Sequence, residues 1–287
     1  NMVINHNLSS MFASRMERIN AKEVQSSIEK LSSGQRINKA SDDAAGLAIS
    51  EKLRAQIRGL NQANKNTENA VSFIQVTSGY LQETTDILQR IRELAVQSSN
   101  GLYSSEDRLQ IQVEVSQLVA EVDRIASSAQ FNGLNMLTGR YADNEIGEKM
   151  TFQVGANVDQ LISVNIASAT AGALGLKGED QNGGIGNLVS VEDADNSNMT
   201  LATIDNALKI VNSQRANLGA IQNRMETASK GIAIAAENLT SAESIIRDED
   251  MASAMVEYTR NQILQSSSIA MISQANTQSQ NVLSLLK

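Results

Sequence analysis

From Ile49 to Leu88 the chain repeats one pattern: Ile49, Leu53, Ile57, Leu60, Asn64, Thr67, Val71, Ile74, Ser78, Leu81, Thr85 and Leu88 recur at spacings of three and four. That period belongs to a helix burying one face, not to a strand. A stripe sustained this long must pack on something for its whole length, because helices in water draw most of their stability from packing. Two further stripes offer partners. One is Ile111, Val115, Leu118, Val122, Ile125 and Ala129. The other is Ile204, Ala207, Val211, Gln214, Leu218, Ile221, Met225, Ala228, Ile232, Ala235, Leu239, Ala242 and Ile246. The polar members Asn64, Thr67, Ser78 and Thr85 weaken the first seam and can fix its register.

The absence of proline from all 287 residues fits this reading. An ordinary chain carries about 5% proline, and one in a helix interior costs about 3 kcal/mol. With four Phe, four Tyr and no Trp, packing falls to Ala, Ile, Leu, Val and Met.

Boundary signals divide the helices. Ser41 reads as an N-cap with Asp42 and Asp43 in the first turn, where the helix dipole favours anions. Asn100-Gly101 ends that helix, a rod of roughly 85 Å at 1.5 Å per residue. Ser104-Ser105-Glu106-Asp107 restarts a helix with a capping-box pattern. Asn132-Gly133 closes it, so the second helix folds back antiparallel on the first. The third long helix spans about Thr200 to Asp248.

The middle, Arg140 to Asn198, differs and holds eight of the seventeen glycines. Met150, Phe152 and Val154 alternate, Gly155-Ala156-Asn157 turns, and Ile162, Val164 and Ile166 alternate again, which predicts a β-hairpin. The Gly/Asn/Asp-rich stretch from Gly172 to Asn198 reads as an exposed loop or a small excursion.

Both ends are amphipathic. Near the start, Ile4, Leu8, Met11, Phe12, Ile19, Val24, Ile28 and Leu31 fall mostly three, four or seven apart before Gly34 interrupts them. Past the charged joint Arg247-Asp248-Glu249-Asp250, the stretch from Asn261 to Leu286 has no charged residue; its apolar positions include Ile263, Leu264, Ile269, Met271, Ile272, Val282, Leu283, Leu285 and Leu286. A helix that merely faces water carries a Lys/Glu face. One enclosed by other helices cannot hold unpaired charge. The terminus therefore reads as made for burial by neighbouring chains.

The fold class is mainly α: a long antiparallel helical-bundle rod, with paired terminal helices and a three-helix body, and a small central β-hairpin region. The domains are 1–40 with 249–287, 41–139 with 200–248, and the excursion 140–199.

Several functions are disfavoured. Without cysteine there is no disulfide, thiol chemistry or Cys-based metal site. A net charge of −8 does not suit a nucleic-acid binder. No apolar run approaches the ~18 residues of a membrane span. His6 is the only histidine, so a metal site or a His-Glu-x-x-His protease motif is not expected. Asp42 and Asp43, adjacent at a helix start, diverge in direction and read as dipole partners rather than catalytic carboxylates. Gly183-Gly184-Ile185-Gly186 lacks the Lys-Ser/Thr of a P-loop. Neither enzyme activity nor a cofactor is expected. Met2-Val3-Ile4-Asn5-His6-Asn7 has no basic start or apolar core of a secretory signal, and Asn1 ahead of Met2 reads as a processing or numbering artefact.

The run Leu31-Ser32-Ser33-Gly34-Gln35-Arg36-Ile37-Asn38-Lys39-Ala40-Ser41-Asp42-Asp43-Ala44-Ala45-Gly46-Leu47 resembles bacterial flagellin. So do Gln89-Arg90-Ile91-Arg92-Glu93-Leu94-Ala95-Val96-Gln97, Ala129-Gln130-Phe131-Asn132-Gly133 and Phe152-Gln153-Val154-Gly155-Ala156-Asn157. Ile4-Asn5-His6-Asn7 and the run from Glu106 to Ala126 are most similar to class B core flagellins of spirochaete periplasmic flagella.

That resemblance implies a tube in which both chain ends pair in an inner domain lining the lumen, while the three-helix rod forms the outer wall. It implies a subunit that self-assembles into a helical filament transmitting motor torque for motility. The alternative is a hook–filament junction protein. The polymer interface would include Leu8, Met11, Phe12, Ile19, Ile28, Leu31, Ile263, Ile269, Ile272, Val282, Leu285 and Leu286. Further implied partners are sibling flagellins, sheath proteins, hook-associated and cap proteins and an export chaperone, with type III export and no cleaved signal. Arg90, Leu94 and Glu114 match flagellin positions recognised by Toll-like receptor 5 on released monomer. Their primary expected role is packing on the rod surface.

Overall fold

The seams become helices, and the computed structural model describes residues 7–142, 148–179 and 185–285. Its helices are α1 (Leu8–Ser33), α2 (Ala44–Ser98), α3 (Ser105–Ser128), α4 (Ala194–Arg247) and α5 (Met251–Leu285). Three two-stranded antiparallel pairs lie between α3 and α4: β1 (Gln130–Phe131) with β2 (Leu134–Asn135), β3 (Met150–Gln153) with β4 (Leu161–Val164), and β5 (Lys177–Glu179) with β6 (Ile185–Asn187). The chain forms two units, Arg58–Ala236 and the combination of Asn1–Ile57 with Glu237–Lys287.

In the central unit α2, α3 and α4 share one core. Ile74, Leu81, Leu88 and Ile91 of α2 pack in one cluster with Val115, Val119 and Val122 of α3 and Ile204, Ala207, Val211 and Leu218 of α4. Arg90 Nε and Nη2 reach Glu114 at 3.0 and 2.9 Å, while Arg108 Nε donates to Ser98 O at 3.0 Å. These crossed positions fix α3 as antiparallel to α2. The pairs Asn64–Ser229 and Arg92–Asp205 do the same for α4.

Asn64 takes a partner across the interface in Ser229, but the buried threonines of the seam need none. Thr67 and Thr85 are buried, and each hydroxyl donates to the carbonyl four residues back, at 2.8 Å. The seam also differs from its predicted line. Thr77 is fully buried, donating to Phe73 O, whereas Ser78 is only half-buried. The threonine methyl packs while its hydroxyl is satisfied locally.

The start of α2 corrects the expected cap. Gly46 N–H bonds Asp43 Oδ1 at 2.8 Å, so Asp43 caps the helix rather than Ser41. Asp42 accepts from the backbone N–H groups of Asn38 and Lys39. The predicted capping box stands: Ser104 and Asp107 bond reciprocally at the start of α3.

The expected hairpin forms between Met150 and Val164, with Phe152 opposite Ile162 and Met150 opposite Val164. Its turn sits directly on α2, since a Cβ at Gly59 would come within 2.8 Å of the Ala156 Cβ. Phe73 of α2 meets Phe131 edge-on at 5.5 Å and Phe152 at 5.7 Å. Asn132-Gly133 does more than end a helix. Their φ angles of 51° and 76° suit a two-residue hairpin turn between β1 and β2.

Gly172 to Asn198 is not simply an exposed loop. Leu174, Leu176, Val189 and Val191 are buried in the common core. Asp123 of α3 accepts from Ala171 N–H at 2.8 Å and pairs with Lys177. Gln112 holds Val191 N–H at 2.7 Å and Val189 O at 3.2 Å, and Ser98 Oγ donates to Val191 O at 2.6 Å. Helix α4 also begins earlier than expected because Ser197 and Thr200 are buried, Thr200 bonding back to Ser190 O. Asn182, Gly183 and Gly184 lie outside the described residues.

Candidate assembly surface

The terminal unit is built on the pairing of α1 with α5. Gly34, at φ 69°, caps α1 in the left-handed region and releases the chain into the joint. There the joint meets its counterpart after α4. Gln35 pairs with Asp248, Arg36 N–H bonds Arg247 O at 2.7 Å, and Glu249 N–H bonds Gly34 O at 3.1 Å. Arg247 is buried and bonds Gln35 Oε1 and Glu51 Oε1, at 3.1 and 2.7 Å. The guanidinium holds the Glu51 carboxyl below its ordinary value.

The two helices run antiparallel: Asn7 Nδ2 bonds Ala275 O, Asn20 Nδ2 bonds Ser268 Oγ, and Asn261 Nδ2 bonds Ser27 Oγ. The side chains meeting here are mostly small or polar, with Val24, Leu31 and Ile272 the half-buried larger ones. On α5 the covered line is Ala254, Tyr258, Asn261, Gln265, Ser268, Ile272 and Ala275, and on α1 the buried residues are Ala13 and Ser27. Most of the large apolar side chains point elsewhere. Leu8 is 67% exposed, Phe12 57% and Ile263 63%, and Met11, Ile19, Ile28, Leu264, Ile269 and Met271 are exposed too. The pairing of the ends is therefore not the burial of two apolar stripes on each other. It uses the polar line and leaves the apolar surface outside.

That surface has relief. A groove of about 700 Å³ runs between the helices, lined among others by Leu8, Phe12, Met16, Leu264 and Met271. A second hollow, of about 470 Å³, is lined by Met255, Val256, Thr259, Arg260, Ile263 and Leu264 of α5. No charged residue lines the groove, so an occupant there meets little charge to desolvate, whereas Arg260 stands in the wall of the second hollow.

Of the expected interface residues, Leu8, Met11, Phe12, Ile19, Ile28, Ile263 and Ile269 are exposed on this pair, while Leu31 and Ile272 are half-buried within it. The side chains of Val282 and Leu285, all of Leu286, and the segment 1–6 with His6 lie outside the described residues. Met16, Met255 and Val256 belong to the same surface but were missed by sequence. The available signal was that they are apolar yet off the line that faces the partner helix.

Arg90 and Glu114 are partly exposed and joined to each other, with Arg90 also bonding Glu93 at 3.2 Å. The bond to Glu114 raises the Arg90 pKa above its ordinary value. Leu94 is only 2% exposed and packs in the core. Of the three positions matched to receptor recognition, Arg90 and Glu114 are open on the surface and the Leu94 side chain is not. Among the described residues, no group of three or more His, Cys, Asp or Glu stands together to hold a metal, and no helix is long and apolar enough to cross a membrane.

Comparison with known proteins places this geometry in a family. Residues 4–142 match the family model described as the bacterial flagellin N-terminal helical region, and 201–286 match the C-terminal helical region. The chain is 65% identical to the flagellar filament 30.7 kDa core protein of Treponema maltophilum, over 99% of this chain and all of that one. It is 60% identical to flagellin FlaB1 of Treponema pallidum and 48% identical to the flagellin of Bacillus subtilis, each over the full length of both chains. A solved structure of a flagellar hook-associated protein from Vibrio parahaemolyticus superposes with a TM-score of 0.56 at 14% identity, covering 72% of this chain and 99% of that one. At that identity the likeness concerns the fold alone.

Proposed function

The chain belongs to the bacterial flagellin family, and we propose that it is the core subunit of a periplasmic flagellar filament, polymerising through its terminal helix pair. It is a structural subunit of the flagellar filament. The observation that carries the assembly reading is the reversed pairing of α1 with α5. Their polar line is spent within the chain, and Leu8, Phe12, Ile19, Ile263, Leu264 and Ile269 remain exposed. Burying one such side chain contributes about 1.5–3 kcal/mol, so several per subunit can offset the ordering cost of association.

In this reading 1–40 with 249–287 form the inner wall of a tube. Segments 41–139 and 200–248 form the outer wall, carrying the 140–199 excursion. The excursion is closed down by Asp123, Gln112 and Ser98 rather than opened into a further domain. A compact outer surface suits a filament enclosed by sheath proteins. Sibling flagellins fit the same surface, and hook-associated and cap proteins meet the filament ends. Export through the flagellar type III channel with a chaperone on α5 completes the route. Exposed Arg90 and Glu114 remain open to an innate receptor on released monomer. The hook–filament junction reading rests on a shared fold; the full-length likeness to filament core proteins favours the filament.

Seeded polymerisation tests the reading by comparing the full chain with one ending at Arg260, by light scattering and electron microscopy. Filaments from the full chain alone are expected. Filaments from both would remove α5 from the assembly surface. None from either, with competent seeds, would favour the junction role.

A further inference from the structure

The chain has no cysteine and ten methionines, so its sulfur chemistry is that of thioethers. Their placement is uneven. In the central unit Met136 and Met225 are fully buried, Met150 is half-buried, and Met199 alone is exposed, by 73%. On the terminal pair, Met11, Met16, Met251, Met255 and Met271 are all exposed, Met16 by 37%, Met255 by 51% and Met271 by 59%. Met16 and Met271 line the groove between α1 and α5, and Met255 lines the second hollow. Most of the surface in both hollows is apolar; the polar side chains lining the groove are uncharged, and Arg260 lines the second hollow.

We propose that Met16, Met255 and Met271 form an oxidant-sensitive modification site that gates assembly, an inference that rests on the assembly reading above. A peroxide transfers one oxygen atom to the thioether sulfur. The sulfur loses two electrons to become a sulfoxide, and the peroxide leaves as water or an alcohol. The product is a polar, chiral side chain in place of a flexible apolar one. In the free subunit each thioether is open to the oxidant and the sulfoxide is hydrated at little cost. In a polymer the same group would be buried against apolar neighbours, where an unpartnered polar oxygen is unfavourable. Oxidation thus opposes addition of a subunit without attacking the central core, where Met136 and Met225 are shielded. Filament already formed protects its own methionines. A dithiol-dependent methionine sulfoxide reductase reverses the change: the thiols are oxidised to a disulfide and the oxygen leaves as water.

The test uses the full chain. Monomer is treated with dilute hydrogen peroxide, oxygen addition is mapped by mass spectrometry, and the critical concentration for seeded polymerisation is measured before treatment, after it, and after reductase repair. The same ratio of treated to untreated critical concentration is measured for the triple variant M16L/M255L/M271L, whatever its own starting value. The expected results are oxygen on Met16, Met255 and Met271 ahead of Met136 and Met225, a rise of at least tenfold in critical concentration, recovery on repair, and a ratio near one in the variant. Unchanged polymerisation of fully oxidised monomer would overturn the proposal and leave the assembly reading standing. An equal rise in the variant would place the damage elsewhere and overturn it too. If untreated chain failed to polymerise on competent seeds, the assembly reading would fall and this inference with it.

Discussion

The two units spend their apolar residues in opposite ways. In the central unit Leu81, Leu88, Val115, Val119 and Leu218 are fully buried, and the polar exceptions Thr67, Thr77 and Thr85 satisfy their hydroxyls on their own helices. In the terminal unit the helix pair closes over Ala13, Ser27 and Ala254, while Phe12, Ile263 and Met271 face outward. Similar apolar spacing has thus produced a finished core in one unit and an unfinished surface in the other. What separates them is the residue type on the line that meets the partner. Where that line is Ile, Leu and Val, it is the core. Where it is mostly Ala, Asn, Gln and Ser, it sets register and leaves the larger apolar side chains exposed.

The largest effect should come from truncating the finished core. Leu88→Ala is expected to cost about 2–5 kcal/mol of stability, read by urea or thermal unfolding. Ile263→Ala is expected to change monomer stability by less than about 0.5 kcal/mol yet raise the critical concentration for polymerisation. If Ile263→Ala unfolds the monomer as strongly as Leu88→Ala does, the contrast between the units collapses.

Next in size is the closed excursion. Asp123→Ala leaves the buried Ala171 N–H without its carboxylate and Lys177 without its partner. We expect about 1–3 kcal/mol of destabilisation and faster proteolysis within 171–191. Unchanged cleavage there would mean that the buried leucines and valines hold the segment by themselves.

A smaller effect belongs to the cap of α2. Asp43→Ala should cost about 1 kcal/mol and speed amide exchange in the first turn of α2, whereas Ser41→Ala should do neither. Equal effects would return the cap to Ser41.

Acid sensitivity is the subtlest. Backbone N–H groups of Lys39 and Asn38 hold Asp42 below its ordinary value of 3.8, and the bond from Arg247 holds Glu51 below 4.5. A depressed carboxyl contributes stability that is complete above its unfolded value and lost as pH falls through its folded one. The joint should therefore loosen below about pH 4. Carboxyl NMR titration would reveal ordinary midpoints if these contacts were absent in solution.

Much of this was legible in the sequence. The seams of α2, α3 and α4, the Ser104–Asp107 box and the hairpin at Met150 to Val164 all follow from spacing and turn chemistry. What was hidden required knowledge of neighbours. Thr77 looks like a poorer core residue than its line suggests until its hydroxyl is seen bonding Phe73 O. Gly172 to Asn198 looks like open loop because its anchors, Asp123, Gln112 and Ser98, lie far away in the chain. In the terminal helices, periodicity reports that an apolar face exists and not which face the partner helix covers.

Amide hydrogen exchange of the full chain, as monomer and as seeded filament, tests the central contrast most directly. Slow exchange across 74–94 and 115–126 in both states, with 8–31 and 263–281 fast in the monomer and protected only in the filament, is the predicted result. Strong protection of both terminal helices in the free monomer, unchanged on polymerisation, would contradict it.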